Sequence, residues 1–243
     1  MTNIWAIVKR ELAGYFCSPV AYVFIVIFLL LSGFFTFSVS HFYENGQADL
    51  AAFFGWQPWI FLLLVPAVGM RLWAEERRTG TIELLLTLPV TLTEAVLGKF
   101  IAAWLFLALA LFLTFPLVIT VAYLGNPDMG AIFCAYFGNI LMAGAYLSVG
   151  SMTSSLTRNQ VVSFILAVVI CLFLVIAGWT PVTEVLSGWA PLWLVETISS
   201  FSFISHFSSI QRGVLDARDL IYYVSVIFFM LYANGVILLN RRT

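Results

Sequence analysis

His206 stands among Ser205, Ser208 and Ser209, a base beside hydroxyls that a hydrolase would use to activate a nucleophile. That chemistry needs the nucleophile held in reach and a carboxylate orienting the base, and adjacency in sequence supplies neither. Polarity at an interface accounts better for the grouping. His41 and Glu44 fall on successive turns, but two ligands at a loop edge do not make a metal site. Gly98-Lys99 is the only Gly-Lys pair, and Phe100 follows it where a phosphate-binding loop needs Ser or Thr. Cys17, Cys134 and Cys171 are odd in number and far apart, so neither a disulfide framework nor a zinc site is readable. No catalytic, cofactor-binding or metal-binding set emerges, so any energy for work must come from another polypeptide.

The elements that would position such groups are unusual. Of 243 residues, 62% are apolar and 9% charged, against roughly 45–50% and about 25% in soluble domains. A hydrocarbon core takes about 20 residues of helix per crossing, and six runs qualify: approximately Val20–Ser40, Gln57–Trp73, Ala95–Tyr123, Ala131–Ser154, Val161–Gly178 and Leu220–Leu239. They predict an all-α integral membrane protein with six transmembrane helices in one domain, residues 1–243. The net charge of −1, without a basic face, argues against nucleic acid as a partner. Ahead of the first span, Ile4, Trp5, Val8, Leu12, Tyr15 and Phe16 recur at helical spacing and predict an interfacial helix that ends at Ser18-Pro19. Thr91 and Glu94 form a capping box for the third span, and Pro66 and Pro116 mark candidate kinks. With the N-terminus in the cytoplasm, nine basic residues fall inside, Arg241 and Arg242 among them, and only Arg212 and Arg218 fall outside, which places both termini in the cytoplasm.

Trp179 to Asp219 is too apolar for a loop yet holds Pro181, Pro191, Glu196 and His206. A re-entrant or interfacial hairpin on the outer side suits it better than a seventh span, because an isolated Glu near the bilayer centre is costly. Arg212, Gly213, Asp216, Arg218 and Asp219 close this segment. Arg212 and Asp216 are spaced for an i, i+4 pair, and Asp219 for the N-cap of the last span. Gly144, Ser148, Ser151 and Ser155 share one face of the fourth span, where small side chains allow close helix approach; packing within the subunit is the simpler reading, and a substrate path the other. Gly80 and Thr81 read as a turn and an N-cap, Glu83 complements the following helix dipole, and Pro89 ends a short helix whose Ile82, Leu84, Leu85, Leu86 and Leu88 need a cover of lipid, spans or a partner.

The run from Glu75 through Glu76, Arg77, Arg78, Thr79, Gly80, Thr81, Ile82, Glu83, Leu84 and Leu85 to Pro89-Val90, with Gly98-Lys99 beyond it, resembles the cytoplasmic loop of ABC-2 type permeases. The block Phe207 to Tyr223 is similar to the segment before the last span in the branch of that family associated with gliding motility. The resemblance implies a permease subunit of the bacterial inner membrane, not itself an enzyme. It would pair with a second permease chain, identical or paralogous, and with two ATPase subunits that bind ATP and Mg. It also implies that a coupling helix at about Thr81–Leu88 docks into the ATPase, with Glu75, Glu76, Arg77 and Glu83 for polar contacts and Ile82, Leu84 and Leu85 for packing, and that a re-entrant element lies between spans five and six. Export is the expected output. The alternative is transmission of ATPase-driven shape change to an envelope or periplasmic protein, motivated by the lack of a charged relay in mid-span.

Overall fold

The structure, a computed structural model, describes residues 2–44, 49–80, 90–188 and 190–240. Its order is α1 (Thr2–Cys17), α2 (Pro19–Phe34), a π-helical turn (Phe35–Val39), α3 (Ala51–Gly69), α4 (Arg71–Thr79), α5 (Leu92–Phe112), α6 (Pro116–Leu124), α7 (Met129–Leu156), α8 (Gln160–Ile176), α9 (Thr180–Ser187), α10 (Leu192–Ser199), α11 (Phe203–Gln211) and α12 (Ala217–Asn240). No strand occurs among the described residues. Five helical stretches are long and apolar enough to cross a membrane: Pro19–Val39, Ala51–Thr79, Leu92–Leu124, Met129–Leu156 and Ala217–Asn240. A sixth results if α8 and α9, bent by 64° at their junction, count as one. The short helix expected at about Thr81–Leu88 lies outside the described residues.

Local chemistry sets the boundaries. Ser18 caps α2 and Pro19 follows at its first position, which separates α1 from the first span. The Thr91–Glu94 capping box is formed. Gly80, with φ +74°, ends α4 in a left-handed conformation that costs glycine little. The second span starts earlier than expected, at Ala51 rather than Gln57, because residues 51–56 are apolar and continue the helix, with Phe53 and Phe54 buried. It breaks after Gly69, three residues beyond Pro66, which stays inside α3, and the third breaks just before Pro116, where a proline without an N–H interrupts the ladder.

α7 is the hub, packed by α3, α4, α5, α8, α11 and α12 and buried almost all round from Gly138 to Ser155. Apolar side chains face outward on α2, α8 and α12, including Val23, Phe173 and Phe228, as the lipid-facing surfaces of spans must. α1 departs from a solitary surface helix. It runs alongside the start of α5: Asn3 reaches Glu94, Ile7 packs on Gly98 and the Tyr15 ring stacks on Phe106 at 5.1 Å. Gly98 permits this approach, since a Cβ there would meet Ile7 at 2.7 Å.

Residues 179–219 fold as three short helices. α11 is the anchored one: Phe203, Phe207 and Ile210 are buried, and Gly138 of α7 leaves room for Ile210.

Candidate functional site: the joint between α4 and the bundle

The most elaborate polar construction among the described residues surrounds α4, the helix that leads into residue 81. Its first turn presents backbone N–H groups without intrahelical acceptors. Ser154 of α7 supplies one for Trp73: its Oγ accepts from the Trp73 amide at 3.0 Å and also from the Ala74 amide at 2.9 Å, and it donates to the Met70 carbonyl at 2.7 Å. One hydroxyl thus uses its donor and both lone pairs to bridge the helix break. It arrives there because Gly69 and Gly150 let α3 and α7 touch backbone to backbone. A Cβ on Gly69 would lie 2.9 Å from the Gly150 Cα, and Ser154 follows Gly150 by one turn. A Gly69→Ala variant is therefore expected to lose about 1–3 kcal/mol to overpacking, whereas Gly55→Ala, with nothing within 4 Å of the added Cβ, is expected to be neutral or to gain up to about 1 kcal/mol in helix propensity. Thermal unfolding in detergent compares the two.

Farther along α4, Arg77 donates from Nη1 to the Ser155 carbonyl at the end of α7. Glu76 turns inward to Lys99 of α5 at 2.7 Å, and the same ammonium meets Glu11 of α1 at 3.2 Å. The Lys99 side chain is only 4% exposed and also lies 5.6 Å from the centre of the Trp73 ring. A buried ammonium between two carboxylates ties three helices together, and each charge depends on the others. Burial pushes the Glu11 carboxyl up, but the Lys99 ammonium and the Arg10 guanidinium, through charge and hydrogen bonds, outweigh it and hold the group below the usual carboxylate value.

The sequence-predicted site residues distribute as follows. Glu76 and Arg77 belong to this joint. Glu75 is exposed on the rim of a cavity beside it, and Gly80 closes α4. Thr81, Ile82, Glu83, Leu84, Leu85 and Pro89 lie outside the described residues. On α7, Gly144 faces Trp104 and Ile227, Ser151 accepts from Asn234 Nδ2 at 2.7 Å, Ser148 bonds its own helix at the Ala145 carbonyl, and Ser155 offers its carbonyl to Arg77. Sequence reasoning missed Gly150 and Ser154, which lie on another face; their small-x-x-x-small spacing was the available signal.

At the far end, two expectations are corrected. Asp219 does not cap α12. Asp216 Oδ1 accepts from the Arg218 amide, while Asp219 turns inward to His206, with 2.6 Å between Oδ1 and Nδ1. Nor does Arg212 pair with Asp216: its Nε donates to the Ser208 carbonyl, because α11 ends at Gln211 and Gly213 (φ +84°) reverses the chain against Ala131. His206 is closed off as a base, since its other nitrogen, Nε2, lies 2.9 Å from the Ser200 carbonyl, an acceptor that fixes a proton there. It fastens α11 to α12, with Tyr222 stacked on it at 4.0 Å. Among the described residues, no group of three or more His, Cys, Asp or Glu could hold a metal ion.

The comparisons with known proteins agree with this architecture. No curated protein matches the chain. A family model described as ABC-2 family transporter protein matches residues 5–238, nearly the whole length. The chain, a multi-pass helical membrane protein by its spans, belongs to the ABC-2 transporter family.

Proposed function

We propose that this chain is the permease subunit of an ATP-binding-cassette exporter, working with a second permease chain and with separate ATPase subunits that bind ATP and Mg. Residues 81–89 form the docking element. The observation that supports this reading is the joint of α4. A helix that only linked two spans would need no serine from α7 at its start, no arginine bond to the end of α7 and no buried ion cluster to α5 and α1. Such bracing suits a lever that receives force at its tip and passes it to the hub and to two neighbours. The gathering of basic residues at this end supports a cytoplasmic position for it and for both termini, in a bacterial inner membrane as the family reading implies. The short helices of residues 179–219 then lie on the outer side.

The test is co-purification with the products of neighbouring reading frames, and ATP turnover with and without the chain. Arg77 is a poor probe because it also braces α7. Arg78, exposed and without a charged or hydrogen-bonded side-chain partner among the described residues, and Glu83 are better ones. Arg78→Glu and Glu83→Arg are expected to weaken association with the ATPase about tenfold each, the value of one charge-assisted contact, with unfolding temperature unchanged. Full association in both variants would overturn the docking assignment.

A further inference from the structure

A cavity of about 400 Å³ opens between the end of α1, the start of α2, the α3–α4 break and α5. It lies where the first span begins and the second ends, the level at which a bilayer passes from headgroups to hydrocarbon. Its walls follow that division. Phe24, Phe106 and Val68 line the apolar part, and Arg71, Glu75 and the Lys99 cluster line the polar part.

The charge arithmetic leaves two groups over. Lys99 and Arg10 are matched by Glu11 and Glu76. Arg71 and Glu75, one turn apart on α4, have neither an ion pair nor a side-chain hydrogen bond among the described residues, although Arg71 is half-buried. Tyr15, also on the wall, has a hydroxyl likewise without a partner among the described residues. Burial and the nearby Glu11 push that hydroxyl well above the usual phenol range, against the opposing pull of Arg71, so it stands as a proton donor beside the guanidinium. A lone cation and a lone carboxylate at helical spacing, with a hydroxyl donor between apolar walls, complement a headgroup carrying both a phosphate and an amine.

We propose that this cavity binds the headgroup of a zwitterionic, amine-bearing phospholipid such as phosphatidylethanolamine, with the phosphate on Arg71 and Tyr15 and the ammonium on Glu75. The acyl chains lie along the exposed face of α2 formed by Val20, Val23 and Ile27. A volume of about 400 Å³ falls within the range of roughly 300–1,000 Å³ for small-molecule sites. The lipid wedges the junction of α1, α4 and α5, so it sits against the joint described above. The proposal does not depend on ATPase coupling and is tested without the ATPase.

The experiment is native mass spectrometry of the full chain, delipidated in detergent and titrated with phosphatidylethanolamine or phosphatidylglycerol. One phosphatidylethanolamine per chain is expected to stay bound, with Arg71→Gln lowering its retention about tenfold. Gly14→Trp, which fills the cavity from a position where a Cβ meets nothing within 4 Å, is expected to abolish it. Neither variant removes a contact of the folded chain, so unfolding temperatures should match wild type. Glu75→Gln is expected to make the two lipids equivalent. Retention unaffected by both Arg71→Gln and Gly14→Trp overturns the site. Equal binding of the two lipids to wild type overturns the amine recognition, and displacement by inorganic phosphate overturns the lipid as ligand in favour of a phosphate ion.

Discussion

Lys99→Met is expected to lower stability in detergent by about 3–5 kcal/mol, the scale for removing one partner of a buried ion pair, read from thermal or denaturant unfolding. The loss of a single charge is not the cause. Glu11 and Glu76, with side chains 22% and 19% exposed, lose the ammonium that offsets much of their desolvation. The triple variant Glu11→Gln, Glu76→Gln, Lys99→Met is therefore expected to recover most of the loss, because it removes the two buried carboxylates together with the ammonium between them. Acid gives a second signature. In wild type, Glu11 is held below its ordinary pKa, so its contribution is complete above that ordinary value and disappears as pH falls through the depressed one. Without the ammonium, burial weighs more heavily against the carboxylate, and protonation relieves it. The stability gap between variant and wild type should narrow as pH is lowered from 8 to about 5. A gap that is constant with pH would mean that Lys99 acts through packing on Trp73.

Lys99 illustrates what the sequence could and could not disclose. Hydropathy and composition locate the first, third, fourth and last spans within about three residues, because lipid imposes a length and a polarity that a one-dimensional window can measure, whereas the second begins earlier, at Ala51, and the fifth reaches span length only with α9. Capping is equally local, so Ser18-Pro19 and the Thr91–Glu94 box are readable from neighbours three residues apart. Lys99 itself reads as half of a Gly-Lys pair that fails as a phosphate loop and accompanies the family resemblance, with no partner legible beside it. Its meaning depends on Glu11 and Glu76, which reach it from two other helices. His206 and Asp219 were both noticed, but as separate features, since their pairing requires the reversal at Gly213. Ser154 was missed for a different reason. The search for a stripe of small residues presumes one packed face, and α7 is enclosed by neighbours on every side, so no face stands out in its sequence. Resemblance to a family gave the Glu75–Pro89 loop its importance. What the structure adds is that the described part of that loop, α4, is fastened to α1, α5 and α7.

The second large effect is expected at that fastening. Ser154→Ala removes one oxygen, leaves the Trp73 amide without an acceptor inside the bundle, and takes the tertiary bond from the Ala74 amide and the Met70 carbonyl, which keep each other within the helix. At about 1–3 kcal/mol for one buried group left unsatisfied, the cost is expected to be about 1–3 kcal/mol. Ser148→Ala is the control. That hydroxyl is equally buried, but it bonds only the Ala145 carbonyl of its own helix, which remains in the helical ladder, so its loss should cost less than about 1 kcal/mol. The two variants also separate stability from transmission. If α4 carries force from the docking segment into α7, Ser154→Ala should reduce the dependence of ATP turnover on this subunit even at temperatures where the variant is fully folded, while Ser148→Ala leaves it intact. Equal stability losses would show that the break is satisfied within its own helix. Unequal losses with equal turnover would show that the joint holds the fold together without carrying the signal, and the lever would then have to run through the Glu76–Lys99 contact to α5.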